Sequence, residues 1–144
     1  MAFNYLPYQQ KASALETGLN SKLNANTYAR FLNKQRGNRQ MFETRQQFER
    51  QTPGVIGSFT KRGIAGPGVR SGIFQRGMDE FGRQQFNALQ GVQETVDEGE
   101  NQLKQQEDEL RAQYAQDTAD LELQKNAQIA QSAATLAALK PYLT

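Results

Sequence analysis

Apolar residues recur along this chain at helical spacing, and polar residues, glutamine above all, fill the positions between them. Near the start, Tyr8, Ala12, Leu15, Leu19 and Leu23 follow the i, i+3/i+4 rhythm of one helix face. That rhythm predicts an amphipathic helix from Tyr8 to Leu23, with Pro7 at a start that tolerates proline. Asn24 and Asn26 predict a break and a new N-cap. A second helix is expected from Thr27 to about Gln51, carrying Tyr28, Phe31, Leu32, Phe42 and Phe48. Gly37-Asn38 is a point for it to bend, and Pro53-Gly54 is expected to stop it.

From Pro53 to Gly77 the pattern changes. Seven of the chain's 12 glycines fall there, too many for a helix on backbone entropy alone. Yet Val55, Ile56, Phe59, Ile64, Val69, Ile73 and Phe74 are not the residues of a flexible spacer. An ordered loop is expected, packing those side chains on its own helices or on a neighbouring subunit. Phe59, Ile64, Gly66, Gly68 and Phe74 are its candidate contact residues.

Ser71 reads as the N-cap of the dominant element, a helix from about Gly72 to Leu139 closed by Pro141. At about 1.5 Å per residue it would reach on the order of 100 Å, the signature of a coiled coil or bundle rod. Its seam is carried by Leu89, Val96, Leu103 and Leu110 at sevenfold spacing, flanked by Phe74, Met78, Phe81 and Val92. After Leu110 the phase shifts by four, to Tyr114 and then Leu121, a stutter that unwinds a left-handed supercoil locally. Gln85, Gly99 and Gln106 interrupt the seam. Gly82, Gly91 and Gly99 are either surface glycines or points of close helix approach, and Gly99 is also where a hairpin would form. The end, from Ala127 to Thr144, is rich in alanine and nearly uncharged, which suits close packing.

The whole is therefore expected to be all-α and elongated, with two N-terminal helices, an ordered Gly-rich loop and one long coiled-coil-like C-terminal helix. Its regions are a basic helical part (1–52), a basic Gly-rich loop (53–72) and a long acidic helix (73–144).

Composition narrows this picture. Hydrophobic residues make up 37% of the 144 positions, so a globular core would be thin, and 20 glutamines favour long helices over disordered polar tracts. The net charge of +2 conceals a split. Met1–Met78 holds 12 Lys/Arg against 3 Asp/Glu, and Asp79–Thr144 holds 5 against 12. Such asymmetry suits a protein whose two halves meet different surfaces, or whose copies meet one another. Contacts are expected between the Arg30–Arg76 region and the Asp97–Glu109 region, or with a partner's acidic surface. Arg36, Arg39, Arg45, Arg62 and Arg70 are the candidate charge contacts.

Little in the chain suggests chemistry. Without Cys or His there is no thiolate or imidazole for metal binding or catalysis. The glycine loop lacks the Gly-Lys-Ser/Thr of a phosphate-binding loop. The GxxG at Gly63–Gly66 has no sheet pattern around it to make a KH module. The carboxylates at Asp97, Glu98 and Glu100, and at Glu107, Asp108 and Glu109, diverge around one helix rather than converge on a cleft. No enzyme activity, cofactor or metal is expected. No apolar run reaches the length of a membrane span, and the start lacks a signal-peptide pattern, so synthesis without export by a cleaved signal is expected. DNA contact remains open, because Arg30–Arg50 and Lys61–Arg76 offer many phosphate partners.

The run Arg62-Gly63-Ile64-Ala65-Gly66-Pro67-Gly68-Val69-Arg70-Ser71-Gly72-Ile73, leading into a Gln/Ala/Glu-rich helix with Leu110-Arg111-Ala112-Gln113-Tyr114, resembles small virion proteins of tailed bacteriophages. The resemblance is to the internal (ejection), neck and tail-associated kinds and covers about residues 62–125. It implies a helical, non-enzymatic virion component made in the host cytoplasm, present in many copies, and partnered by itself and by portal or tail proteins. A basic helical protein packaged or ejected with the genome, or a bacterial coiled-coil adaptor, would share these features.

Overall fold

The computed structural model describes residues 2–63 and 72–143. Helix α1 spans Leu6–Lys61 and helix α2 spans Gly72–Leu139, followed by a short 3-10 turn at Lys140–Tyr142. Among the described residues 95% are helical and none is in a strand, so the fold is all-α. The chain forms two compact units, Met1–Tyr28 with Leu103–Thr144 and Ala29–Gln102.

Two sequence expectations are corrected here. In place of two N-terminal helices there is one, unbroken at Asn24–Asn26 and at Gly37-Asn38. Asn26 does not cap a new helix; it is 7% exposed and turned into the pairing seam. Nor does Pro53-Gly54 stop the helix, since α1 runs on to Lys61 with Pro53 inside it. Proline in a helix interior costs about 3 kcal/mol. Here Phe48, Thr52, Val55 and Phe59 keep one face half-buried across it, and burial overrides local propensity. The glycine segment is thus helical over its first part. It turns at Gly63, whose φ of 71° is a conformation glycine adopts without strain. Ile64, Gly66, Gly68, Arg70 and Ser71 lie outside the described residues. Helix α2 occupies the predicted range and is continuous through Gly99.

The first unit, Met1–Tyr28 with Leu103–Thr144, is an antiparallel helix pair. The Tyr8 hydroxyl donates to Gln128 Oε1, and Asn26 Nδ2 donates to the Leu103 carbonyl at 2.8 Å. Leu15, Leu19 and Leu23 lie half-buried on α1, as do Leu103, Leu110, Tyr114 and Leu121 on α2. Asn4 caps α1 by accepting from the Leu6 amide at 3.0 Å. Phe3, just before the cap, stacks on Tyr8 at 5.9 Å between centroids, a hydrophobic staple that fixes the chain's entry into the helix. Beyond Ile129 the α2 side chains are exposed through to Leu143.

The second unit, Ala29–Gln102, is also an antiparallel pair, with different cement. Phe48 meets Phe81 edge-on at 5.4 Å, and Phe59 meets Phe74 edge-on at 5.6 Å. Further along, Asn33 Nδ2 donates to the Val96 carbonyl at 3.0 Å, and Arg30 Nε and Nη2 both donate to Glu100 Oε1, at 2.8 and 2.6 Å.

Candidate interaction surface

Phe59 and Phe74 pack on each other, and Leu89, Val96, Leu103, Leu110 and Leu121 are half-buried on α2. The phase shift expected after Leu110 is not found there, because Asp117, seven residues on, stays on the half-buried face, and consecutive steps of four begin only beyond it. Leu110, Tyr114, Asp117 and Leu121 are half-buried in turn, and Lys125 and Ile129 follow at steps of four. In the second unit this seam is an intramolecular contact between α1 and α2, formed without a second chain.

The glycines separate into two kinds. A Cβ on Gly82 or Gly91 would meet open space, so these are surface glycines. A Cβ on Gly99 would lie 2.8 Å from Asn33 Oδ1, which makes Gly99 a point of close helix approach. Gly37 and Gly77 are two more, because a Cβ there would overlap Val96 Cγ2 and the Phe59 ring.

Sequence reasoning missed the polar part of the seam. Asn26, Arg30, Asn33 and Gly37 continue the phase of Leu15, Leu19 and Leu23, and that shared phase was the available signal. In the first unit, Asn26 Oδ1 is buried without a hydrogen-bond partner. Such a group costs about 1–3 kcal/mol. Its Nδ2 bond to Leu103 fixes helix register in exchange.

A further correction concerns the aromatics of α1. Phe31 and Phe42, whose spacing in the second expected helix suits core residues, are 53% and 61% exposed, whereas Phe48 is half-buried. On α2, Phe86 is 66% exposed. A two-helix layer has only one seam, so aromatics out of phase with it remain outside. None of the described side chains is fully buried.

Of the candidate charge contacts, Arg36, Arg39, Arg45 and Arg62 are exposed and make no ion pair within the described residues. Arg70 lies outside them. The expected contact between the basic and acidic regions occurs once in the second unit, at Arg30–Glu100, where both side chains are partly shielded. Arg111–Glu107 and Lys125–Glu122 are local ion pairs along α2. Among the described residues no cluster of three or more acidic side chains converges on a point that would hold a metal ion. No described helix is long and apolar enough to cross a membrane.

No family model matches the chain, and neither a curated protein nor a solved structure shows significant similarity to it.

Proposed function

We propose that this chain is a non-enzymatic structural component of a tailed-phage virion, made in the host cytoplasm. In this reading many copies assemble at the portal, neck or tail through helix packing, with one another and with portal or tail proteins. The observation that carries the assembly part is the unburied apolar surface: exposed Phe42 and Phe86 in the second unit, and exposed Leu123 and Tyr142 in the first. Large exposed apolar groups on a helical layer mark a surface that another protein covers. The phage assignment rests on the resemblance of residues 62–125 to small virion proteins. Particle mass in solution tests the assembly part. A defined multimer is expected, and a monomer at all concentrations, alone and with portal or tail proteins, would refute it.

A second reading has its own support. Arg36, Arg39 and Arg45 are exposed and unpaired within the described residues, as phosphate-contacting side chains would be. In that reading the protein contacts DNA and is packaged or ejected with the genome. A salt titration separates the two. Phosphate contacts give an affinity that falls steeply with salt, whereas an assembly subunit in its multimeric form binds DNA little.

A further inference from the structure

The second unit has two unlike sides. Phe48 and Phe81 mark one level of the seam, since their rings touch. Phe42 lies six residues before Phe48, and Phe86 five after Phe81. On antiparallel helices those steps run the same way, about 9 and 7.5 Å, so the two phenylalanines are nearly level. From Phe48 to Phe42 the helix turns by about 120°, and from Phe81 to Phe86 by about 140°, in the same sense. An antiparallel pair has an approximate two-fold axis normal to its plane, so equal turns bring both residues to the same side. Phe42 and Phe86 are exposed aromatics there, at 61% and 66%. Lys34 and Asp97 reach that side too. Each follows a residue of the hydrogen-bonded pair Asn33–Val96 by one position, so both turn the same way. Across the same turns the opposite side carries the polar residues Arg36, Gln40 and Gln47 from α1, with Gln84, Asn87 and Glu98 from α2.

We infer that the Phe42/Phe86 side of the second unit is a self-association surface whose occupant is the same side of a second copy, related by a two-fold axis parallel to the helices. Charge selects both occupant and orientation. In this unit the α1 segment carries seven Lys/Arg and two Asp/Glu, and the α2 segment carries two and six. An axis parallel to the helices lays each α1 over the other copy's α2, so unlike charges meet. An axis across the helices would lay α1 on α1 and oppose like charges. The chosen axis also keeps levels, gathering the two Phe42 and two Phe86 rings into one cluster and setting Lys34 of each copy near Asp97 of the other. Within the described residues Asp97 accepts from Gln93, at 2.9 Å, and makes no ion pair. A buried phenylalanine covers on the order of 150–250 Å². Four rings fall short of the roughly 1,600 Å² of a standard interface, so the flanking helix turns supply the remainder.

This inference rests on the reading of the chain as a multi-copy component. The test is mass measurement by light scattering across concentration, with circular dichroism on each variant to verify helix content. Phe42→Glu and Phe86→Glu are each expected to weaken self-association on the order of 100-fold with helicity retained. Lys34→Glu and Asp97→Lys should each weaken it about 5-fold. An equimolar mixture of those two variants should recover wild-type affinity, through the contact in which opposite charges meet once more. The charge variants keep the proposal testable should either glutamate variant lose its helix. A wild-type multimer indifferent to all four substitutions overturns this surface and leaves multi-copy assembly standing. Single-variant losses without any recovery on mixing overturn the orientation. A wild-type monomer at every concentration overturns the inferred self-association, and continued monomer in the presence of portal or tail proteins overturns the assembly reading as well.

Discussion

The two units solve the same problem, holding two antiparallel helices together, with different side chains. In the first, Leu15, Leu19 and Leu23 of α1 and Leu103, Leu110 and Leu121 of α2 form an aliphatic seam. In the second, aliphatic Leu89 and Val96 are joined by an ion pair, an asparagine on a backbone carbonyl, aromatic edges and three glycines at close approach. Aliphatic contacts are non-directional and tolerate a slip of one turn. Arg30–Glu100 and Asn33–Val96 do not, because a slip leaves partly buried polar groups without partners. The first unit relies on one such polar contact for register, Asn26 on the Leu103 carbonyl, whereas the second has several, so the units differ in how much of the seam is directional.

The largest effect that would break the contrast comes from the close approaches. Gly37→Leu or Gly77→Val should cost about 1–3 kcal/mol by overpacking against Val96 or Phe59, read as a lowered midpoint in denaturant melts. A loss below about 0.5 kcal/mol, the scatter of surface substitutions, would mean that the helices of the second unit do not approach closely. Next comes Leu19→Ala in the first unit. The side chain is only half-buried, so about 1–2 kcal/mol is expected rather than the larger cost of a full core deletion.

Truncating Glu100 to Ala should cost roughly 1–2 kcal/mol, since the pair is partly shielded, with side chains 32% and 25% exposed. A double-mutant cycle with Arg30→Ala isolates the coupling, and a coupling of zero would remove the ion pair from the account of register. Smallest, and opposite in sign, are Gly82→Ala and Gly91→Ala. Both face open space in a helix interior, so each should raise stability by about 0.5–1 kcal/mol. Thermal melts that show destabilisation instead would place an undetected contact over those glycines.

Much of this was legible in the residues. The 3/4 spacing of Leu15, Leu19 and Leu23, and of Leu103, Leu110 and Leu121, fixes helices and their buried stripe, because period alone decides which side chains share a face. The phase shift expected after Leu110 was misplaced, because Asp117 is polar by type yet half-buried on the seam face, and spacing of apolar residues alone does not reveal that. Asn26 and Pro53 mislead a reading guided by local preference, because each sits in or beside a packed seam that outweighs it.

What sequence by itself determined is helix content, the run of α2 from Gly72 to Leu139, and the opposite charge of the two halves. These follow from spacing and composition, which are local properties. Only tertiary structure decided that α1 continues to Lys61, that Gly37, Gly77 and Gly99 are approach points while Gly82 and Gly91 are not, and that Phe42 faces outward while Phe48 faces in. The reason is that each of these depends on which residue of the other helix lies opposite. Register is a relation between two segments far apart in the chain, and no single stretch of sequence contains it.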